Sequence, residues 1–223
     1  MICTLYAYAP LLRALGTHIV SCDEMTGIQA VERVAPTKPM RPGLVEREEF
    51  EYKRHGTQSL IANFDVVTGQ VVAPSLGPTR TEADFARHIG QTIATDPAGV
   101  WVFVVDQLNT HQSEALVRLV AGQCGLTEEL GVKGERGILH SMATRAAFLS
   151  DATHRIQFVY VPKHTSWLNQ IEIWFSILVR RVLKRGNFRS VEDLRARILA
   201  FIDYFNQTAK PFKWTYTGRP LVA

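Results

Sequence analysis

Residues 100–105 read Val-Trp-Val-Phe-Val-Val and stop at Asp106. Six apolar side chains in a row cannot lie on a strand with one wet face. They need cover on both sides, as strands of a mainly parallel sheet do. A second run of this kind, RIQFVYVPKH (155–164), is halted by Pro162, and THIVSCDE (17–24) reads as an earlier strand ending in two acids, Asp23 and Glu24. Between them, GTQSLIANFDVVTGQVVAPS (56–75) has the form of a hairpin. Leu60, Ala62, Phe64 and Val66 alternate with smaller or polar residues, and Thr68-Gly69 makes the turn. Helical spacing appears in 81–94 (Phe85, Ile89, Ile93), in SEALVRLVAGQC (113–124) and in SVEDLRARILAFIDYFNQT (190–208). In the last, Ser190 and Asp193 resemble a capping box, and Leu194, Ile198, Phe201, Ile202 and Phe205 share a face. Residues 125–150 contain several glycines and show no clear period. The order of elements predicts an α/β layout with helices flanking one mixed sheet.

Nothing in the chain reaches the eighteen or so apolar residues of a membrane span, so no membrane partner is expected. The N-terminus lacks the basic residues that open a secretory leader. Cys3, Cys22 and Cys124 are scattered, which argues against a disulfide framework or a zinc cluster and fits a reducing cytoplasm. Charge is unevenly placed. Residues 1–161 hold 14 Lys and Arg against 17 Asp and Glu, a balance of −3; residues 162–223 hold 11 against 4, a balance of +7. A basic third joined to a slightly acidic remainder suits a polyanion docking along one side.

The basic third opens with PKHTSWLNQIEIWFSILVRRVLKRG (162–186), a helical run carrying a single acid, Glu172. At about 100° per residue from Leu168, Ile171, Phe175, Val179 and Val182 fall in one apolar arc between roughly 300° and 20°. Glu172 falls near 40°, at the edge of that arc, whereas Arg180, Arg181, Lys184 and Arg185 lie at roughly 120° to 260°. Glu172 is therefore expected to face the protein and the cations to face away. An inward glutamate needs a cation, either a lysine such as Lys163 or a metal ion. In open α/β sheets, sites form beyond the carboxyl ends of strands. Asp23 and Asp106 are placed there, and Glu172 could join them. Three gathered carboxylates repel unless cations sit among them, and a set of hard oxygen ligands selects Mg²⁺ or Mn²⁺.

These residues carry a resemblance. CDEMTGIQA, VVDQLNTH and HTSWLNQIEIWFSILVRR resemble the three acid-bearing motifs of DDE transposases, in particular the bacterial insertion-sequence branch of the mariner-like superfamily, from about residue 16 to 218. The resemblance implies an α/β, ribonuclease H-like fold shared with retroviral integrases. Its five-stranded mixed sheet has the second strand antiparallel and helices on both faces. It also implies DNA cleavage at transposon ends and strand transfer into target DNA, with Mg²⁺ as cofactor (Mn²⁺ substituting), two ions per site. Double-stranded DNA would be the partner, with a homodimer in the synaptic complex at the bacterial nucleoid.

By the same resemblance Asp23, Asp106 and Glu172 are the catalytic, metal-binding triad. Glu24, Asn109, His111, Ser166 and Asn169 support the site or touch substrate, and Lys163, His164, Arg180, Arg181, Lys184 and Arg185 meet DNA. Trp167 and Trp174 are expected to pack. Gln107 stands where many relatives carry Asn, and Asn109 is expected to take that role. The spacing from Asp106 to Glu172 is about twice the usual, which predicts an insertion around 122–152 whose Lys133, Arg136 and Arg145 are available to DNA. On this reading residues 1–223 form a single catalytic domain without the family's preceding helix-turn-helix region. A non-catalytic regulatory remnant and a nuclease acting on RNA–DNA hybrids are the competing readings.

Overall fold

A computed structural model describes residues 2–216; the last residues of the stretch that carries the resemblance lie outside them. Five strands form one sheet: β1 (Thr17–Arg33), β2 (Tyr52–Asp65), β3 (Val71–Gly77), β4 (Val100–Val105) and β5 (Ile156–Tyr160), in the order β3-β2-β1-β4-β5. β2 runs antiparallel to β1 and to β3, while β1, β4 and β5 are parallel. The expected mixed sheet with an antiparallel second strand is therefore present. The predicted hairpin turn is present too. Gly69 takes φ +76°, and a Cβ there would run into the backbone carbonyl of Lys210.

The unbroken apolar run of β4 is explained by cover on both faces. Val102 and Val104 pack against α1 (Ile2–Ala14), α5 (Ile171–Leu178) and α6 (Val191–Gln207). Trp101, Phe103 and Val105 pack against α2 (Glu82–Ile93), α3 (Glu114–Cys124) and α4 (Met142–Leu149). α2 begins at a full capping box in which Thr81 and Asp84 satisfy each other's backbone N–H groups.

Several expectations are corrected. β1 does not end at the two acids; it continues to Arg33 and pairs with β2 as a ribbon beyond the rest of the sheet. Its pairing with β4 does end early, at Ser21 opposite Val104, so Asp23 still lies just past the parallel edge. Residues 2–14 form a helix that the sequence pattern does not mark, and the irregular 125–150 segment contains α4. The run from 166 is not one helix. Ser166–Leu168 is a 3₁₀ turn, α5 starts only at Ile171, and Val179–Leu183 is a π turn closed by Lys184 N–H donating to the Val179 carbonyl.

One buried titratable group marks the α2 side of the core. His88 is fully buried, with Nε2 facing Asn63 Nδ2 at 2.8 Å and Nδ1 facing Ser75 Oγ at 2.8 Å. An amide donor on one nitrogen and a hydroxyl on the other suit the neutral ring, and burial pushes its pKa down to about 3. The unfolded chain, with an ordinary histidine near 6.5, binds the extra proton first, so this residue's contribution to stability is lost as pH falls below about 6.5. Between pH 7 and pH 5 that loss is on the order of 2 kcal/mol. Urea titrations of wild type and His88→Gln at the two pH values should show a shallower pH dependence in the variant. Equal slopes would refute a neutral buried His88.

Candidate active site

The sheet fixes where a site can form. From β1 the chain turns to one side, into β2, and from β4 it leads to the other side, into β5. The crevice at this reversal lies beyond the carboxyl ends of β1 and β4. Asp23 and Asp106 both sit there.

Successive strand residues face opposite sides of a sheet, so Asp23 and Glu24 diverge. Asp23 points to the α5 side, where Asn169 Nδ2 donates to its Oδ2 (3.3 Å) and to the Cys22 carbonyl (2.9 Å). Glu24 points to the α2–α3 side, where its Oε2 meets His111 Nε2 at 3.0 Å. His111 belongs to a 3₁₀ turn (Asn109–Gln112), and its Nδ1 reaches Asp106 Oδ1 at 2.7 Å. Leu108 N–H donates to that same oxygen at 2.9 Å.

Electrostatics ties the three acids together, with Asp106 between the other two. Burial raises Asp23 to about 7; the Glu24 N–H opposes this, and the nearby charge of Asp106 adds to it. Burial also raises Glu172, and the charge of Asp106 adds to the rise. Asp106 itself is pulled upward by burial, but the hydrogen bonds from His111 and Leu108, with the charges of His111 and Arg80, outweigh that and leave it low. For His111 burial favours the neutral ring, yet the two carboxylates override it and carry the pKa up to about 10. The raised value keeps the imidazole protonated at neutral pH, between Asp106 and Glu24. Two raised acids around a third are what a site does when it expects cations.

Glu172 is half-buried at the start of α5, and no ion pair joins it to Lys163. The four cations Arg180, Arg181, Lys184 and Arg185 are all exposed, as the helical phase predicts. Val179 is not in the apolar arc: the π turn pushes it out to 38% exposure, and Leu183 rather than Val179 packs on the core. Lys163, His164 and Ser166 are exposed and line a cleft of about 370 Å³ with Asp106, Gln107 and Pro162. His164 adopts a left-handed backbone, φ 62°. Asn109 is exposed on its 3₁₀ turn. Trp174 is buried as expected, but Trp167 is half exposed and meets Tyr216 edge-on.

Of the insertion's basic residues, Lys133 and Arg136 are exposed and Arg145 is turned inward. Arg145 is buried and donates to the carbonyls of Gln112 (2.6 Å) and Leu139 (2.9 Å), so it fastens α4 to the loop after Asp106. Lys133 lies 3.5 Å from Glu82, and Arg136 lies 2.9 Å from Glu129. Three further contributors have roles that the sequence does not show. Gln107 Nε2 donates to the Val161 carbonyl at 3.0 Å and clasps the ends of β4 and β5. Tyr160 donates to the His111 carbonyl at 2.9 Å, and Arg80 brings positive charge to Asp106 from the loop before α2. Each is defined by a tertiary neighbour, not by local spacing.

Acids on β1, just after β4 and on α5 thus surround the crevice at the strand-order reversal, and the charge of Asp106 is felt by both of the others. The chain belongs to the DDE superfamily of endonucleases, whose family model it matches over residues 18–195. No curated relative matches it. Among solved structures it is similar to the Mos1 mariner paired-end complex with Mn (TM-score 0.53, 15% identity, covering 94% of this chain and 54% of that one). It is also similar to the pre-cleavage Mos1 transpososome (TM-score 0.53, 12% identity, 94% and 56%). The likeness establishes the ribonuclease H-like fold, and the chain spans about half the length of these neighbours.

Proposed function

We propose that this chain is the catalytic domain of a DNA transposase, with Asp23, Asp106 and Glu172 as its metal ligands. What supports the reading is that acids on β1, just after β4 and on α5 lie around the reversal point, with the charge of Asp106 felt by both Asp23 and Glu172. The donor set fits Mg²⁺ or Mn²⁺: carboxylate oxygens, two of them on acids whose raised pKa values a divalent cation would relieve. Two bound ions would supply charge neutralisation at the attacking and leaving oxygens of a phosphodiester.

The chain's own residues do the remaining work. Asn169 holds Asp23 from the α5 side. His111 and Leu108 orient Asp106 through one oxygen. Arg180, Arg181, Lys184 and Arg185 follow Glu172 along the same segment and grip phosphates, while Lys163 and His164 border the cleft beside Asp106. Pairing of two DNA ends by two copies of the chain completes the reading. It draws support from the paired-end assemblies formed by the structural neighbours.

Wild-type protein should nick supercoiled DNA with Mn²⁺ and not with EDTA. Persistent DNA binding without nicking would instead favour a regulatory, non-catalytic protein. Replacing Arg180, Arg181, Lys184 and Arg185 by Gln should weaken DNA binding across sequences. It should also flatten the slope of log K against log salt by about 0.9 for every phosphate that the variant no longer neutralises. An unchanged salt slope would remove these four residues from the DNA interface.

A further inference from the structure

The ligand atoms of Asp23, Glu24 and His111 lie within 4.8 Å of one another, close enough to suggest a metal site of their own. The contacts argue otherwise. The Glu24 side chain is 1% exposed and that of His111 fully enclosed. Both ring nitrogens of His111 are engaged, Nε2 with Glu24 Oε2 and Nδ1 with Asp106 Oδ1, so neither is free to ligate. Thr110 Oγ1 donates to the other Glu24 oxygen at 3.4 Å. Phe85 packs on the ring with centroids 4.2 Å apart, and Tyr160 holds the His111 backbone carbonyl. The ring is clamped on every side that could turn it.

We infer that Glu24 is a positioning residue rather than a ligand: by holding His111 it fixes Asp106, which then meets the metal through Oδ2 alone. The inference rests on the metal site proposed above. Oδ1 of Asp106 already accepts from His111 and from Leu108 N–H, and Oδ2 is the oxygen left over. The parity of β1 makes the division of labour possible, because adjacent residues on one strand serve the two sides of the sheet: Asp23 the ions, Glu24 the support.

Mn²⁺ binding to the purified chain, followed by calorimetry and by the Mn²⁺ electron paramagnetic signal, separates positioning from ligation. Glu24→Gln keeps an acceptor for His111, so it should bind Mn²⁺ within about threefold of wild type. Glu24→Leu and His111→Asn, which break the clamp, should each lose about 10–100-fold. The double variant Glu24→Leu/His111→Asn should be little worse than His111→Asn alone, since both act along one route. A loss in Glu24→Gln as large as in Glu24→Leu would make Glu24 a ligand and overturn the inference. Wild-type affinity in Glu24→Leu, or additive losses in the double variant, would overturn it as well. Should Glu24→Leu not fold, Glu24→Gln and His111→Asn decide: ten-fold loss in the first, or no loss in the second, sinks it. Glu172→Gln is the control. If Mn²⁺ binding is absent in wild type or untouched by Glu172→Gln, the metal site itself is wrong and this assignment goes with it.

Discussion

Glu172→Gln is expected to lower Mn²⁺-supported nicking on the order of 10³-fold while leaving the fold and DNA affinity intact. The size follows from removing a full anionic ligand where charge must be balanced during phosphodiester displacement. The selectivity follows from its surroundings. Glu172 is half-buried, and its local hydrogen bonds are made by the backbone: its N–H donates to the Asn169 carbonyl at 3.1 Å and its carbonyl accepts from Ser176 Oγ at 3.1 Å. Gln has nearly the same shape and gives up no internal partner. Conversion of supercoiled to open-circular plasmid measures the effect, with gel-shift affinity and circular dichroism as controls. Equal nicking by the two proteins would remove Glu172 from the reaction.

Trp174→Ala should cost about 3–5 kcal/mol of stability, the largest effect expected from a single core truncation here. Trp174 is wholly buried on the inner face of α5, against Phe175, Phe201 and Phe205, where α5 meets α6. Its removal leaves a cavity beneath the helix that carries Glu172, so Mn²⁺ affinity should fall with stability. Trp174→Phe should recover most of the loss. Urea denaturation gives the stability, and a cost below about 1 kcal/mol would mean that α5 is not anchored through this side chain.

What is legible in the sequence is whatever a local rule controls. The unbroken apolar run of β4, the Thr68-Gly69 turn and the spacing of α2 and α6 each express burial or turn chemistry within a few residues. The positions of Asp106 after β4 and of Glu172 on the inner side of α5 follow from a strand end and a helical phase, both local, whereas Asp23 lies within β1 and reaches the crevice only because the pairing with β4 stops at Ser21. The failures share a physical cause. A constant 100° per residue does not hold along the basic segment: Leu178 and Leu183 are five apart, and a π turn brings both inward, which displaces Val179. α4 is only eight residues long and follows a glycine-rich loop, too short to show a period. Arg145 reads as a surface cation because its partners are backbone carbonyls, which no side-chain pattern announces. Gln107 and Tyr160 do their work across strands and loops distant in sequence.

The length of β1 has a mechanical side. The strand that carries Asp23 continues outward as a ribbon with β2, and a load on the ribbon's far end would ordinarily travel down the strand to the acid. Between Met25 and Ile28 the pairing register shifts, with Gly27 at φ +66°. A bulge of this kind is the compliant point of a ribbon, because a residue left out of the ladder lets the strand bend there. Forces applied beyond it are taken up as rotation about Gly27. Asp23, on the inner side and tied to Asn169 and to its β2 partner Ala62, keeps its place. The outer ribbon can flex against whatever it meets without detuning the spacing of the acids.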